Sequence, residues 1–370
     1  MVGAGSQLNF FTDGINEAVD SSQALDKIKD FLLIFTSIFY EALPFIVIGS
    51  LLAGLLEELL PQKLIARLLP RNRFFAILIG ALLGLIFPMC ECGIIPVMRR
   101  LLRKGLPLSC CVAYLLAGPI INPLVLLSTY VAFDGMENAT ENGTLAFQMG
   151  GLAMVLTRTG MAYLVAVGTS LIVDRLHQKH GDELLMPLAK PPVKSKLSLD
   201  VVDDDDVTVN KGSMTWFARA SRISETALHD FIDITVFLTI GALLAAFTRI
   251  WLTHDAISEL SRSHIILAVL LMMALSVVLC LCSEADAFVA ASFVTLRPAA
   301  KAGFLVLGPM FDLKLYMMYT RVFKPKLIWT IIISVVIQVF LYTMILHGLW
   351  ENLGPKFFFP KIDPITLTSR

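Results

Sequence analysis

The sequence predicts an all-α integral membrane protein built from two homologous halves, and three observations lead to this. Hydrophobic residues make up 56% of the chain, charged residues only 16%, and the mean hydropathy is +0.74, which is too apolar for a water-soluble domain. Eight apolar runs are long enough to enter or cross a hydrocarbon core of about 30 Å. Residues that are rare in membranes recur in both halves at one fixed spacing.

The eight runs divide the chain in order. Residues 1–30 are predicted to be a short amphipathic or loose lead-in, without the basic start and short apolar stretch of a cleaved signal. Residues 31–173 are the first membrane repeat, 226–350 are the second, and 351–370 are a C-terminal tail. The runs begin near Phe31, Phe74, Leu108, Met149, Phe231, Ile265, Gly303 and Leu327.

Residues 174–225 are predicted to be a polar, acidic linker. They contain KPPVKSKLSLDVVDDDDVTVN, whose prolines, lysines and block of aspartates resist packing into a core. The linker therefore separates the two halves.

The halves repeat each other at a spacing of 190 residues without a gap. The matched positions are Cys90 and Cys92 with Cys280 and Cys282, Gly118 and Pro119 with Gly308 and Pro309, and Asn122 with Asp312. A second match, at a spacing of 192, places Glu41 on Asp233. Chance would match Leu, Ala and Gly, whereas these matches include cysteine, proline and carboxylates.

Whether the cysteine segments cross the membrane or re-enter decides the architecture, because repeats with an odd number of crossings are inverted. The total of Lys and Arg leaves both open, but the short loops are sorted better by re-entry. The run from Ile265 to Leu296 is also too long for one straight span and holds Glu284 and Asp286 in its middle. We therefore favour inverted repeats with broken or re-entrant helices, residues 61–73, 99–105 and 174–225 being cytoplasmic and 133–148 outside.

The broken segments supply the candidate substrate site, because irregular backbone at membrane depth is tolerated where it lines a cavity. Thiolates are soft ligands that select thiophilic metals, so we expect the four Cys-x-Cys sulfurs to bind a transported rather than a structural metal. Prolines leave carbonyl groups free beside Asn122. The predicted substrate-binding residues are Cys90, Glu91, Cys92, Pro119, Asn122, Cys280, Cys282 and Asp312; Cys110 and Cys111 lack counterparts and are expected to be structural.

Intramembrane carboxylates cost roughly 2.5 to 3.5 kcal/mol each at a helix centre, so they are functional candidates. Glu41, Asp233, Glu284 and Asp286 are the predicted proton-coupling residues. Glu41 and Asp233 could instead lie at helix ends in the interface. Arg158 and Lys314 also lie in apolar runs and could simply pair with acids.

The motif PMCECGIIPVMRRLLRKGLPLSCCVAYLLAGPIINPLV, with GPMFDLKL in the second half, resembles the family of predicted permeases related to the bacterial organoarsenical (methylarsenite) efflux permease. The resemblance covers roughly residues 31–350 outside the linker. It implies a multi-pass permease of the inner (plasma) membrane, with thiophilic metal or metalloid export in some relatives, and it carries over Cys90 and Cys92. The glutamate between these cysteines and the second pair, Cys280 and Cys282, are not part of the resemblance.

The sequence thus predicts a secondary exporter of a thiophilic metal or metalloid species, or of its organic derivative. No phosphate-binding loop, cofactor or enzymatic activity is expected, and a net charge of zero suggests no nucleic-acid partner. The expected partners are lipid, the small thiophilic solute and a second copy of the chain. Three alternatives stay open: a membrane thiol-redox protein, a non-transporting scaffold, and a permease for a small organic or anionic solute.

Overall fold

The computed structural model of the protein is built almost entirely from α-helices. Four of the described helices are long and apolar enough to cross a membrane. They are α1 (Ile28–Leu52), α6 (Gly151–His180), α7 (Trp216–Ile250, apolar over Ile223–Leu244) and α12 (Pro325–Phe358, apolar over Pro325–Leu349). The structure describes residues 28–40, 42–44, 46–52, 54–55, 72–87, 89–103, 105–134, 140–141, 144–145, 150–186, 216–250, 265–293 and 296–358.

Exposed apolar stripes show which sides of the long helices face lipid. On α12 the stripe repeats every fourth residue through Trp329, Ile333, Ile337, Leu341 and Ile345. The outer side of α6 carries a similar stripe of leucines. Contiguous apolar surface of this kind is avoided in water, so the chain is a multi-pass membrane protein.

Short helices lie between the long ones, and the two halves have the same order of elements. Each half begins and ends with a long helix and holds two interrupted helices between them. In the first half these are α2 (Arg73–Leu82, extended by a 3-10 turn to Leu85), α3 (Glu91–Arg103), α4 (Leu108–Ala117) and α5 (Pro123–Phe133). The second half runs through α7 (Trp216–Ile250), α8 (Ile265–Leu279), α9 (Ala285–Ser292), α10 (Pro298–Met310), α11 (Leu313–Tyr319) and α12 (Pro325–Phe358).

Several long helices extend past the boundaries predicted for the membrane repeats. Helix α6 extends to His180 and α7 begins at Trp216, so both reach into the linker predicted at 174–225. Helix α12 continues to Phe358. The predicted boundaries follow the end of each apolar run, whereas a helix can continue past that point into the polar region beyond the lipid. Two very short strands, Thr140–Glu141 and Thr144–Leu145, pair between α5 and α6.

Contacts between helix ends define two faces of the molecule. We call the face at which α6 ends and the linker begins the linker face, and the opposite one the far face. At the linker face, the side chain of His180 at the end of α6 contacts that of Lys326 at the start of α12, with 2.7 Å between their nitrogens. At the far face, Arg297 before α10 contacts His347 near the other end of α12, at 3.4 Å. The thirty residues of α6 separate the faces by about 45 Å.

The first cysteine segment begins and ends at the linker face. Arg73, at the start of α2, lies 3.8 Å from Asp174 near the end of α6. Ser109, at the start of α4, donates a hydrogen bond to the same carboxylate. Between them, Arg99 near the end of α3 lines a small cavity with Arg321, beyond the end of α11. The chain therefore runs inward along α2, returns along α3, and runs inward again along α4.

The second cysteine segment is arranged the other way around. Helices α8 and α10 pack side by side and run in the same direction, because Met273 lies beside Gly303 and Ser276 beside Gly308. Since α10 begins beside Arg297 at the far face, α8 begins there too. Helix α9 then has to return to the far face before α10 starts.

Small residues allow the broken helices to approach closely. A Cβ atom at Gly84 would lie 2.6 Å from the backbone of Gly118, and one at Gly49 would lie 2.7 Å from Gly93. Such distances leave no room for a side chain. Backbones of α1 and α3, and of the turn after α2 and the end of α4, therefore touch directly, as small residues permit in membrane helix packing.

Candidate functional site

The two Cys-x-Cys sequences lie where helices are interrupted in the protein interior. The first precedes and opens α3, where the Cys90 carbonyl accepts hydrogen bonds from the backbone N–H groups of Gly93 and Ile94. The second lies between α8 and α9. Cys280 there has a φ of 48°, which makes it the one non-glycine residue with positive φ among the described residues. At both sites the backbone between two helices is irregular.

Lys314 joins the two cysteine turns. Its ammonium group donates a hydrogen bond of 2.7 Å to Glu91 in the first turn and one of 3.4 Å to the carbonyl oxygen of Cys280 in the second. The Asp312 carboxylate lies 3.6 Å away, an ion-pair distance rather than a hydrogen bond. These three charged residues are buried, and we call them the linker-side ion pair because α11 continues from them to the linker face.

Arg158 holds the other end of the second turn. One guanidinium nitrogen donates to both oxygens of Asp286, at 2.9 Å each, and to the Ser283 carbonyl at 3.0 Å. The other terminal nitrogen donates to the Thr129 hydroxyl at 2.7 Å. Arg158 is completely buried. We call this group the far-side ion pair, because Arg158 lies about 10 Å along α6 from its far-face end.

Both ion pairs connect one repeat to the other. Glu91 belongs to the first repeat and Lys314 to the second, while Arg158 belongs to the first and Asp286 to the second. The pairing that the sequence suggested for Arg158 and Lys314 is therefore present. Counting these networks, three carboxylates face two cations, so the site carries more acidic than basic groups.

The buried acids also lie at the starts of half-helices. Glu91 is the first residue of α3, Asp286 lies in the first turn of α9, and Asp312 caps α11 by accepting a hydrogen bond of 2.7 Å from the Leu315 N–H. Asn122, at the position equivalent to Asp312, caps α5 in the same way, at 3.0 Å from the Leu124 nitrogen. Negative charge is favourable at a helix N-terminus, which lowers the cost of burying these groups.

The sulfur atoms have distinct surroundings. Cys90 and Cys92 are buried on either side of Glu91, which accepts the hydrogen bond of Lys314. In the second turn, the Cys282 sulfur accepts a hydrogen bond of 3.4 Å from the Ala285 N–H at the start of α9. The Cys280 thiol instead donates to the Val277 carbonyl at 3.2 Å. All six cysteines are buried and free of disulfides.

No preformed metal cage is seen in the described part of the chain, which includes all six cysteines. Within it, no three His, Cys, Asp or Glu side chains are grouped as metal ligands would be. Cys110 and Cys111 lie elsewhere, buried on α4, where Cys110 packs against Gly80 of α2.

The remaining candidate residues are more scattered. Pro119 is buried in the interruption between α4 and α5, and Glu284 immediately precedes α9. Asp233 lies on α7, and Glu41 lies outside the described residues. Sequence reasoning missed Thr129 and Ser283, because hydroxyl residues are common in membrane helices and Ser283 contributes only its carbonyl group.

Comparison with known proteins identifies the family. The family described as "Predicted permease" (ArsP_1) matches residues 27–348, which is most of the chain. The chain belongs to this family. This match confirms the family resemblance seen in the sequence. The family and the apolar helices together indicate a multi-pass protein of the inner membrane.

Two relatives match this permease over nearly their whole lengths. The UPF0718 protein YcgR of Bacillus subtilis is 35% identical over 316 residues, 85% of this chain and 96% of the relative. A protein of Streptococcus mutans named "Putative two-component membrane permease complex subunit" is 31% identical over 315 residues, 85% of this chain and 94% of the relative. No solved structure matches the permease significantly.

The positive φ of Cys280 allows its backbone and thiol roles to be separated. Left-handed backbone costs roughly 1–2 kcal/mol for a residue with a Cβ atom and almost nothing for glycine. We expect the Cys280→Gly variant to be more stable than Cys280→Ala by about 1 kcal/mol, measured by thermal unfolding in detergent. An alanine variant as stable as the glycine variant would show that this backbone conformation is not maintained.

Proposed function

We propose that this permease is a secondary exporter of a thiophilic metal or metalloid species, or of its organic derivative. The observation that carries the proposal is the junction at Lys314. Its ammonium group lies 2.7 Å from Glu91 and 3.4 Å from the Cys280 carbonyl, so two cysteine-bearing helix interruptions meet inside the protein. Irregular backbone at this depth is typical of transport sites.

The proposed architecture is a pair of inverted repeats with re-entrant cysteine hairpins. The linker-face contacts of Arg73, Ser109 and Arg99 support it for the first repeat, because both legs of the hairpin reach one face. The parallel packing of α8 and α10 supports it for the second. Together with the basic short loops, this arrangement supports a cytoplasmic linker face.

The proposed cargo follows from ligand softness. Cys90 and Cys92 offer two sulfurs at the start of α3, on either side of the Glu91 that is bound to Lys314. Cys282, beside the N-terminus of α9, offers a third. We propose that the cargo recruits sulfurs in sequence during transport, because an ion held by a complete set of four thiolates would leave slowly.

The proposed energy source is the proton gradient. Glu41, Asp233, Glu284 and Asp286 are the proposed exchange sites. Asp286 is the best supported by geometry, since its carboxylate is buried and its only cationic partner among the described residues is Arg158. Displacing Arg158 would change the proton affinity of Asp286 and could link cargo movement to proton movement.

A second candidate cargo is a small anionic solute. The observation that favours it is the presence of two buried cations, Lys314 and Arg158, at the same interruptions. In this case the half-helix N-termini and the two cations would bind the anion. The cysteines would then be packing residues.

We also propose that the permease works in a larger assembly. The name of its Streptococcus mutans relative describes that protein as a subunit of a two-component complex. A second subunit or a second copy of the chain would meet the lipid-facing stripes of the long helices. Native mass spectrometry of protein purified from its own membrane would distinguish these two assemblies from a monomer.

Flux into everted membrane vesicles tests the cargo proposal. The panel contains soft species (arsenite, methylarsenite, Zn²⁺ and Cu⁺), hard ions (Mg²⁺ and Ca²⁺) and anions (phosphate and sulfate). We expect protein-dependent uptake of at least one soft species, reduced by collapsing the proton gradient. Uptake restricted to an anion would support the second cargo, and no uptake of any soft species would overturn the first.

A further inference from the structure

The two ion pairs resemble each other in position although their residues do not match in the repeat. In each case the cysteine hairpin of one repeat is tied to an interrupted or long helix of the other. Helix α3 contacts α11 at the Glu91–Lys314 pair, and α9 packs on α5 and is joined to α6 by the Arg158–Asp286 pair. None of these charged residues has a charged equivalent 190 positions away.

The two ion pairs lie nearer to opposite faces of the protein, as a mechanism with two gates requires. Lys314 lies about 8 Å along α11 from the helix end nearest the linker face. Asp286 lies about 9 Å along α9 from the end nearest the far face. The second cysteine turn, residues 280–286, is thus held from one face by Lys314 and from the other by Arg158.

We propose that the linker-side ion pair and the far-side ion pair are the two gates of the transport path, and that Lys314 and Arg158 are its gating residues. This inference rests on the proposed permease function and on its inverted architecture, but not on the identity of the cargo. Both gates are closed in this structure, since every charged residue in them is buried. Opening one gate separates the two repeats at one face only, while the other pair keeps them together.

Charge makes these contacts suitable gates. An apolar contact between the repeats could be exchanged for a contact with lipid or with other apolar side chains at little cost in free energy. A buried ion, in contrast, needs another charged or polar partner when its ion pair opens. Water or a charged cargo entering from one face can replace the partner of Lys314 or Arg158, so the gate opens only when something polar occupies the path. The far-side contact of Arg158 to Thr129 adds a neutral bond that can be removed separately.

Sided labelling of the native cysteines tests the gates without any cargo. The linker-side gate is neutralised by Glu91→Gln and Asp312→Asn together with Lys314→Gln, and the far-side gate by Arg158→Gln with Asp286→Asn. Changing every charged member of a gate avoids leaving one buried charge alone. A membrane-impermeant maleimide is applied to right-side-out and to everted vesicles, and modification is read by mass spectrometry at Cys90, Cys92, Cys280 and Cys282.

We expect the linker-side variant to be labelled at least tenfold faster than the parent in everted vesicles only. The far-side variant should be labelled faster in right-side-out vesicles only. The matched control is Gln338→Leu, which removes an uncharged hydrogen bond to Thr169 that also joins the repeats, between α12 and α6. It should leave labelling unchanged at both faces.

Equal acceleration from both faces, or acceleration by the Gln338 control, would overturn the proposal, because the ion pairs would then be general supports. Unchanged labelling in both gate variants would overturn it as well. Folding is monitored by thermal unfolding of the purified variants. If the far-side pair fails to fold, Thr129→Val weakens the same gate without touching a charge, and it should still accelerate labelling from the outside alone.

Discussion

Replacing Cys90 and Cys92 together by serine is expected to lower the flux of a soft cargo by roughly tenfold or more, while the protein stays folded. Serine keeps the size of the side chain but exchanges a soft ligand for a hard one. The two cysteines are almost completely buried, with 3% and 1% of their surfaces exposed. Flux into everted vesicles is the measurement, normalised to the amount of folded protein.

A matched control is available in the same half of the chain. Cys110 and Cys111 are also adjacent in sequence and buried, but they pack within α4 away from the interruptions. Their double serine variant should transport at the parental rate. If the Cys90 and Cys92 variant also did so, the thiophilic cargo would be wrong, whereas the inverted-repeat architecture would be unaffected.

Replacing Arg158 by leucine is expected to destabilise the protein by about 3–5 kcal/mol, because it leaves a buried carboxylate without its cation. Asp286 is only 2% exposed, and the change also removes donors to Thr129 and the Ser283 carbonyl. Thermal unfolding and protease resistance in detergent measure the loss. The stability of Arg158→Lys should be intermediate. Lysine keeps the positive charge, but its single ammonium group cannot donate to all of the acceptors that the planar guanidinium group reaches.

The double variant Arg158→Leu with Asp286→Leu separates charge from packing. Replacing both members of a buried pair by apolar residues is often close to neutral, so this variant should recover much of the lost stability. It should not recover transport if Arg158 gates the path. A double variant as unstable as the single one would mean that Arg158 stabilises through packing and its backbone contact rather than through Asp286.

The helix interruptions could be predicted from sequence because their causes are local. Proline lacks an N–H group, so AGPIINP could not continue as one helix, and α4 does end at Ala117 before α5 begins at Pro123. The run around Cys280 was too long and too acidic for one span, and it divides into α8 and α9. Four long helices and several short apolar ones follow from hydropathy in the same way.

The pairing of the charges could not be predicted, because it depends on which side of each helix faces inward. The sequence placed Arg158 and Lys314 in apolar runs and offered several acids for each. Only the positions of α9 within reach of Arg158, and of α3 beside α11, select Asp286 and Glu91 as the partners. The capping of half-helices by Asp312 and Asn122 could not be predicted either, because a capping residue can be recognised only once the start of its helix is known.

Sided labelling of three introduced cysteines tests most directly the central claim, that two cysteine hairpins enter from opposite faces and meet in the interior. Each is placed at an exposed position: Arg103 at the end of α3, Lys326 at the start of α12 and Arg297 before α10. We expect a membrane-impermeant thiol reagent to reach positions 103 and 326 only from the cytoplasm and position 297 only from outside. Labelling of position 103 from outside, with 326 still cytoplasmic, would mean that α3 crosses the membrane, and would contradict the claim.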